Sequence, residues 1–223
     1  MTSFVLDNTI SMHWLMETDK ASDQKYAEEV LKTHKNATII GDVKCSQIMF
    51  NHIKKSGGQP VMWNTGHSLI KSKMLETNSP LAGELSGHIF FNDKFYGYDD
   101  ALYNAVRLIN IIIEKNCKLS DLTKDIPELY NTPEIRFEVI EEEKFNIVEN
   151  IKKKASTLEC EDINTIDGLR VNKSYGWWLL RASNTQNVLV TRAEADNEEN
   201  LDILKKEIET LLKSENIQIN WSQ

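Results

Sequence analysis

Between residues 38 and 77 the chain passes twice from a short apolar run into a longer amphipathic one, and this alternation narrows the available folds most. "ATIIGD" reads as a buried strand, "CSQIMFNHIKKSGG" as a helix stopped by Gly57 and Gly58, and "QPVMW" as a second buried strand. "NTGHSLIKSKMLE" then reads as a loop leading into another helix. Strand and helix in turn make βαβ units, whose parallel sheet must be covered by the helices. Upstream, "SDQKYAEEVLKTH" predicts a helix with Ala27, Val30, Leu31 and His34 on one face. Downstream, "HIFFNDKFYGY" predicts two short strands hairpinned around Asn92-Asp93, and "DDALYNAVRLINIIIEK" an apolar helix capped by Asp99 or Asp100. Residues 22–118 thus read as an α/β domain with a mixed sheet. Residues 1–21 show no period and are left unplaced.

The stretch 119–133 holds two of the four prolines and little periodicity, as a linker does. Beyond it, "IRFEVI" alternates as a strand, and Phe145, Ile147, Val148 and Ile151 mark a helix. "INTIDGLRV" predicts a hairpin on an Asp-Gly turn of type I′, and "WWLLR" and "VLVTRAEA" are two further strands. Asp196 and Glu199 have capping-box spacing ahead of a helix that buries Leu201, Leu204, Ile208, Leu211 and Leu212. Residues 134–223 therefore read as a small α+β domain, an antiparallel sheet with helices on one face.

Composition excludes some functions. A net charge of −8 argues against general nucleic-acid binding, which draws on clustered Lys and Arg. A locally positive pocket for a small anion stays open. Cys45, Cys117 and Cys160 form no CxxC pair and no metal spacing, which predicts buried free thiols in a reducing compartment. The start "MTSFVLDNTISMHW" has no basic n-region, and the apolar run "LINIII" is too short to span a bilayer. These features predict a cytoplasmic protein without membrane contact.

Three segments carry candidate chemistry. "RASNTQN" (residues 181–187) separates two strands with a loop that is long and Gly-free for a hairpin. Arg181 offers a fork of donors suited to phosphate, and Ser183, Asn184 and Thr185 add short donors around it. The competing reading is a polar hairpin whose Ser, Asn and Thr bond their own backbone. In "AGELSGH", Glu84, Ser86 and His88 alternate and in an extended segment would line one wall, a carboxylate beside a hydroxyl as a sugar requires. The alternative is a glycine-punctuated loop with a structural histidine. Lys44 and His67 each follow a strand of the α/β unit, where parallel sheets bind ligands, although singly they suit a solvated lysine and a structural histidine.

"DVKCS", "PVMWNTGHSLIKSKM", "AGELSGHIFF", "DGLRV" and "RASNTQNVLVTRAEA" together resemble the α-D-phosphohexomutase family, particularly its bacterial phosphomannomutase/phosphoglucomutase branch, over roughly residues 24–213. The resemblance is to the third and fourth of that family's four domains. It implies a reaction that moves a phosphoryl group between the 1- and 6-positions of mannose or glucose phosphates, through a phosphoserine enzyme and a bisphosphorylated intermediate that reorients. It assigns Glu84 and Ser86 to sugar hydroxyls and His88 to the neighbourhood of the reacting phosphate. Lys44 and His67 would line the catalytic cleft, and Arg181, Ser183, Asn184 and Thr185 would hold the phosphate that is not transferred.

The resemblance also implies what a full enzyme needs beyond these segments. The family's serine lies on a "TASHNP"-like loop and its Mg²⁺ on a "DGDGDR"-like loop, and neither run occurs in this sequence. Asp99-Asp100 and "DGLR" do not supply three convergent carboxylates. Asn64 stands where the family usually has a basic residue, Gln186-Asn187 near a usual proline, and Ala193 at a usual aromatic. The expectation is a C-terminal half that is inactive alone and works beside a separate N-terminal half chain, with residues 1–20 a new start joined to an old interior. The alternatives are an inactive remnant that binds sugar phosphate, or a scaffold that uses the former domain interface to bind a partner.

Overall fold

The computed structural model describes residues 19–221, in two compact units that divide between Ile126 and Pro127. Each unit is described by itself. The unplaced segment 1–21 falls almost wholly outside the described residues.

In the first unit the order is α1 (Asp19–Thr33), β1 (Thr38–Asp42), α2 (Gln47–Lys55), β2 (Gln59–Trp63), α3 (His67–Thr77), β3 (Leu81–Gly83), β4 (Ile89–Phe91) and α4 (Ala101–Lys115). The sheet runs β2-β1-β3-β4, with β1 parallel to both β2 and β3 and only β4 antiparallel. Successive residues of these strands face opposite ways, so the sheet divides the core in two. Ile39, Leu81, Ile89 and Phe91 pack with Tyr26, Val30 and Leu31 of α1, Phe50 and Ile53 of α2, and Leu108 and Ile111 of α4. Ile40, Ala82 and Phe90 meet Ile70 and Met74 of α3 on the other side. Ser46 caps α2 by accepting from the Ile48 amide, and Asp100 caps α4 by accepting from Tyr103.

The hairpin differs from the sequence expectation. It forms between β3 and β4, one strand earlier, with residues 84–88 as its turn. After Asn92 the pairing shrinks to one bridge between Phe90 and Asp99. A three-residue strand such as "LAG" is too short to show alternation, which is why it was not legible. The stretch 119–133 is structured at both ends. Leu119–Leu122 forms a 3₁₀ turn whose Leu122 joins the first core, and Tyr130–Asn131 pairs with a strand of the second unit.

The second unit contains β5 (Tyr130–Asn131), β6 (Ile135–Glu138), α5 (Lys144–Ala155), β7 (Asp162–Asn164), β8 (Leu169–Lys173), β9 (Gly176–Ala182), β10 (Val188–Ala195) and α6 (Glu198–Lys213). Its sheet runs β5-β10-β9-β8-β7, with β6 also on β10, and every pairing is antiparallel. Trp178, Leu180 and Ala182 of β9 pack with Ile147, Val148 and Ile151 of α5 and with Leu204, Ile208 and Leu212 of α6. Leu201 and Leu211 of α6 are only partly buried. The cap of α6 is Asn197, which accepts from the Asn200 amide, in place of the expected Asp196–Glu199 box. The turn before β8 has positive φ at Gly168 but not at Asp167, whereas type I′ needs both, so it is not that turn. Of the three free thiols Cys45 is buried, and Cys117 and Cys160 are partly exposed. Among the described residues no helix is long and apolar enough to cross a membrane.

One buried ion network ties the first unit together. The Arg107 guanidinium lies 4.2 Å over the Phe91 ring and donates to Asp93 at 2.7 Å, to the Tyr103 hydroxyl at 3.1 Å and to Glu29 of α1. Burial pushes the Asp93 carboxyl up, but the Arg107 hydrogen bond and charge outweigh it and hold the group below its usual range. A folded-state pKa below the unfolded one adds stability that is complete above the unfolded value and is lost as pH falls through the folded value. Asp93→Asn should therefore destabilise the chain by about 2 kcal/mol at pH 7, because it removes one of the two carboxylates that answer the buried guanidinium and leaves Glu29 alone to do so. In urea titrations followed by circular dichroism, the gap between parent and variant should start to close below about pH 3.8 and narrow further as Asp93 protonates.

Candidate functional site

The three parallel strands of the first unit end at one edge of the sheet, with Asp42 level with Trp63 and Gly41 level with Gly83. The loops that follow carry Lys44 and Glu84 and lead to His67 at the first position of α3, so the register alone brings three of the sequence-selected residues to one edge. Beneath them lies Asp42, fully buried. Its Oδ1 accepts from the Lys44 amide at 3.2 Å, the Cys45 thiol at 3.2 Å and the Leu85 amide at 3.3 Å. Its Oδ2 accepts from the Thr65 hydroxyl at 3.0 Å and lies 3.6 Å from the Lys44 ammonium. Donors thus reach this one carboxylate from the loops after all three strands. Asp42 was read only as a strand residue in the sequence; the available signal was an acidic side chain closing an apolar run.

Residues 84–88 turn tightly instead of extending, with the Glu84 amide donating to the His88 carbonyl and the Gly87 amide to the Glu84 carbonyl. The premise of an alternating wall therefore fails, but the side chains still meet. The Ser86 hydroxyl donates to Glu84 Oε2 at 3.2 Å, and the Gly66 amide donates to Oε1 at 3.1 Å. Gly66 precedes α3 with φ of 132°, a backbone state that favours glycine, and this aims its N–H at Glu84. Glu84 is buried while Ser86 is exposed.

Two histidines complete this edge. His88 Nδ1 is 2.7 Å from Asp99 Oδ2, His67 Nε2 is 3.8 Å from the same oxygen, and the two imidazoles pack edge to face with centroids 4.2 Å apart. The Asp99 hydrogen bond holds His88 above its ordinary pKa, against burial, which lowers it, with Glu84 adding to the rise and Lys44 opposing it. Asp99 was noted in the sequence only as a possible helix cap. That task falls to Asp100, leaving Asp99 for His88.

The other four candidates lie in the second unit. Arg181, near the end of β9, is buried, and its Nε donates to Asp167 Oδ2 at 3.0 Å. That bond leaves the two terminal amino groups of the guanidinium for a second acceptor. Gly168 brings the Asp167 turn against β9 so closely that a Cβ there would run into the Leu180 carbonyl and the Arg181 backbone. Ser183 is buried and its hydroxyl accepts from the Thr185 and Gln186 amides at 3.3 and 3.2 Å, the backbone-bonding arrangement. Residues 184–187 are all exposed. Their backbone is held from outside by the buried Lys144 ammonium, which donates to the Gln186 carbonyl at 3.2 Å, and by the Val139 amide, which donates to Asn187 at 3.0 Å. Asp167 and Lys144 were both missed in the sequence, since neither lies within the loop they shape.

Family models match both units. Phosphoglucomutase/phosphomannomutase, alpha/beta/alpha domain III, matches residues 24–130, and the C-terminal domain of the same family matches residues 114–211. The chain belongs to the phosphoglucomutase/phosphomannomutase family. It corresponds to that family's domains III and IV. A phosphomannomutase/phosphoglucomutase of Pseudomonas aeruginosa is 44% identical over 189 residues, 85% of this chain and 41% of the relative. A phosphoglucomutase of Neisseria gonorrhoeae is 36% identical over 190 residues, 85% of this chain and 41% of the relative. The crystal structure of a phosphoglucomutase/phosphomannomutase family protein from Burkholderia thailandensis matches with a TM-score of 0.80 at 37% identity, over 89% of this chain and 42% of that one. An N-acetylphosphoglucosamine mutase of Aspergillus fumigatus, crystallised with GlcNAc-6P and magnesium, shares the fold at a TM-score of 0.60 and 14% identity, over 87% of this chain and 46% of that one. The chain thus spans about two fifths of the length of the curated relatives it matches.

The geometry makes Asp42 the support of the loops that lead to Lys44, His67 and Ser86. Asp42→Ala should cost about 3 kcal/mol, since it leaves several buried donors unanswered at once. It should also speed hydrogen exchange at the Leu85 amide more than at core amides of β1. Both are measurable, by urea unfolding and by exchange followed with NMR.

Proposed function

We propose that this chain supplies the sugar-recognising and distal-phosphate half of a phosphohexomutase acting on mannose or glucose 1- and 6-phosphates. The reading rests above all on Lys44, His67 and Glu84 standing at the carboxyl ends of three adjacent parallel strands, in the two-domain context of this family. The exposed Ser86 hydroxyl, with the Glu84 carboxylate behind it, would meet sugar hydroxyls. His88, oriented through Nδ1 by Asp99, would present Nε2 towards the reacting phosphate, and Lys44 and His67 would line the same edge. The terminal amino groups of Arg181, with Ser183, Asn184 and Thr185, would take the phosphate that is not transferred. An aqueous hexose phosphate bound this way exchanges its ionic hydration for fixed donors, which is what a guanidinium fork does well.

Magnesium serves relatives of this fold, but the donors here do not suit it. Among the described residues the grouped metal-capable side chains are His67, His88 and Asp99, and two nitrogens with one carboxylate is a poor match for a cation that prefers oxygen. No step is therefore assigned to a metal. The phosphoryl carrier and the metal loop would come from the family's first two domains.

Calorimetric titration with glucose 1-phosphate tests the binding half of the proposal. The parent chain should bind, and Arg181→Ala should lose about 1.5–3 kcal/mol, roughly ten- to a hundredfold in affinity. Equal binding by parent and variant would remove the phosphate assignment. A coupled mutase assay tests the other half. The 223-residue polypeptide alone, with Mg²⁺ and glucose 1,6-bisphosphate, should give no turnover above a double Glu84→Ala, Arg181→Ala control. Adding a polypeptide that carries the first two domains should restore activity, and turnover without it would mean that a residue of this chain carries the phosphoryl group.

A further inference from the structure

Three side chains at the first unit's strand edge come from three separate stretches of backbone. His67 opens α3, His88 closes the β3–β4 turn, and Asp99 sits opposite Phe90 in the isolated bridge. One ligand atom from each lies within 4.8 Å of the others. Asp99 Oδ2 serves both imidazoles, at 2.7 Å from His88 and 3.8 Å from His67, while its Oδ1 is buried with no hydrogen-bond partner. The chemistry of the set is selective. Two imidazoles and one carboxylate suit zinc and its neighbours, whereas Mg²⁺ prefers an octahedron of oxygens.

We propose that His67, His88 and Asp99 form a binding site for a divalent transition metal of the zinc type, separate from any magnesium site of the mutase reaction. In tetrahedral zinc sites with bonds of about 2.0–2.1 Å, neighbouring ligand atoms stand about 3.3 Å apart. The two spacings to Asp99, 2.7 and 3.8 Å, bracket that value, and all three ligand atoms lie within 4.8 Å, so side-chain rotations could close the site. His88 would then carry its proton on Nε2 and give Nδ1 to the metal. Asp99 would bind through one oxygen, and the fourth position would stay open to water because His67 and His88 are both substantially exposed, at 45% and 36% of the side chain. The ring of Phe90, 5.3 Å from that of His67, stiffens one wall.

The test is titration of the full chain with Co²⁺, then with Zn²⁺, at neutral pH in excess Mg²⁺. Co²⁺ should bind one to one, with the intense visible absorption of a four-coordinate ion and no thiolate charge-transfer band, and Zn²⁺ should displace it. His67→Ala should weaken binding at least tenfold. This variant keeps the core intact because His67 is exposed at the first turn of its helix, and a melting curve like the parent's would confirm that. Asp99→Asn should weaken binding similarly. A thiolate band, or affinity unchanged in His67→Ala, would overturn the site by placing the ion elsewhere. Failure of Co²⁺ to bind at millimolar concentration would also overturn it.

Discussion

A carboxylate sealed from water must be answered by donors, and at the end of β1 the donors that answer Asp42 come from the loops after three strands. The loop after its own strand gives the Lys44 amide and the Cys45 thiol, the loop after β2 gives the Thr65 hydroxyl, and the turn after β3 gives the Leu85 amide. Parallel strands deliver loops to the same edge, but they do not fix the loops there. Asp42 does, and Glu84 repeats the device one layer out by accepting from Gly66 and Ser86. The backbone at Lys44, and next to His67 and Ser86, is thus committed to a buried acceptor.

The second unit solves the same problem with cations and an antiparallel hairpin. Asp167 fixes the tilt of the Arg181 plane through Nε, and the absence of a side chain at Gly168 is what lets that turn approach. Ser183 folds the loop from inside and Lys144 holds it from outside. The two readings that the sequence left open for this loop are compatible in one respect. Ser183 bonds its own backbone, and in doing so it turns the neighbouring residues outward.

Much of this was legible in the residues. Apolar runs between 38 and 77 gave strands and helices at nearly their observed bounds, because in a buried parallel sheet burial and periodicity agree. The failures have physical causes. β3 is three residues long and cannot show a period, so the hairpin was placed one strand late. Adjacent Asp99 and Asp100 are equivalent as candidate caps, and only the bridge to Phe90 separates their duties. Asp42, Asp167 and Lys144 act on segments distant in sequence, and no local pattern encodes that. The candidate residues came from motifs that held them together; the residues that support them belong to no such motif.

The loop at 183–187 has a further consequence. Its backbone shape depends on Ser183, Lys144 and the β6 edge, while the side chains of residues 184–187 project into solvent and pack against nothing in the core. Shape and surface chemistry are therefore encoded at different positions. Substitutions at these outward positions would therefore leave the hairpin's fold in place, at the cost only of the bond that the Gln186 side chain accepts from Arg136 of β6.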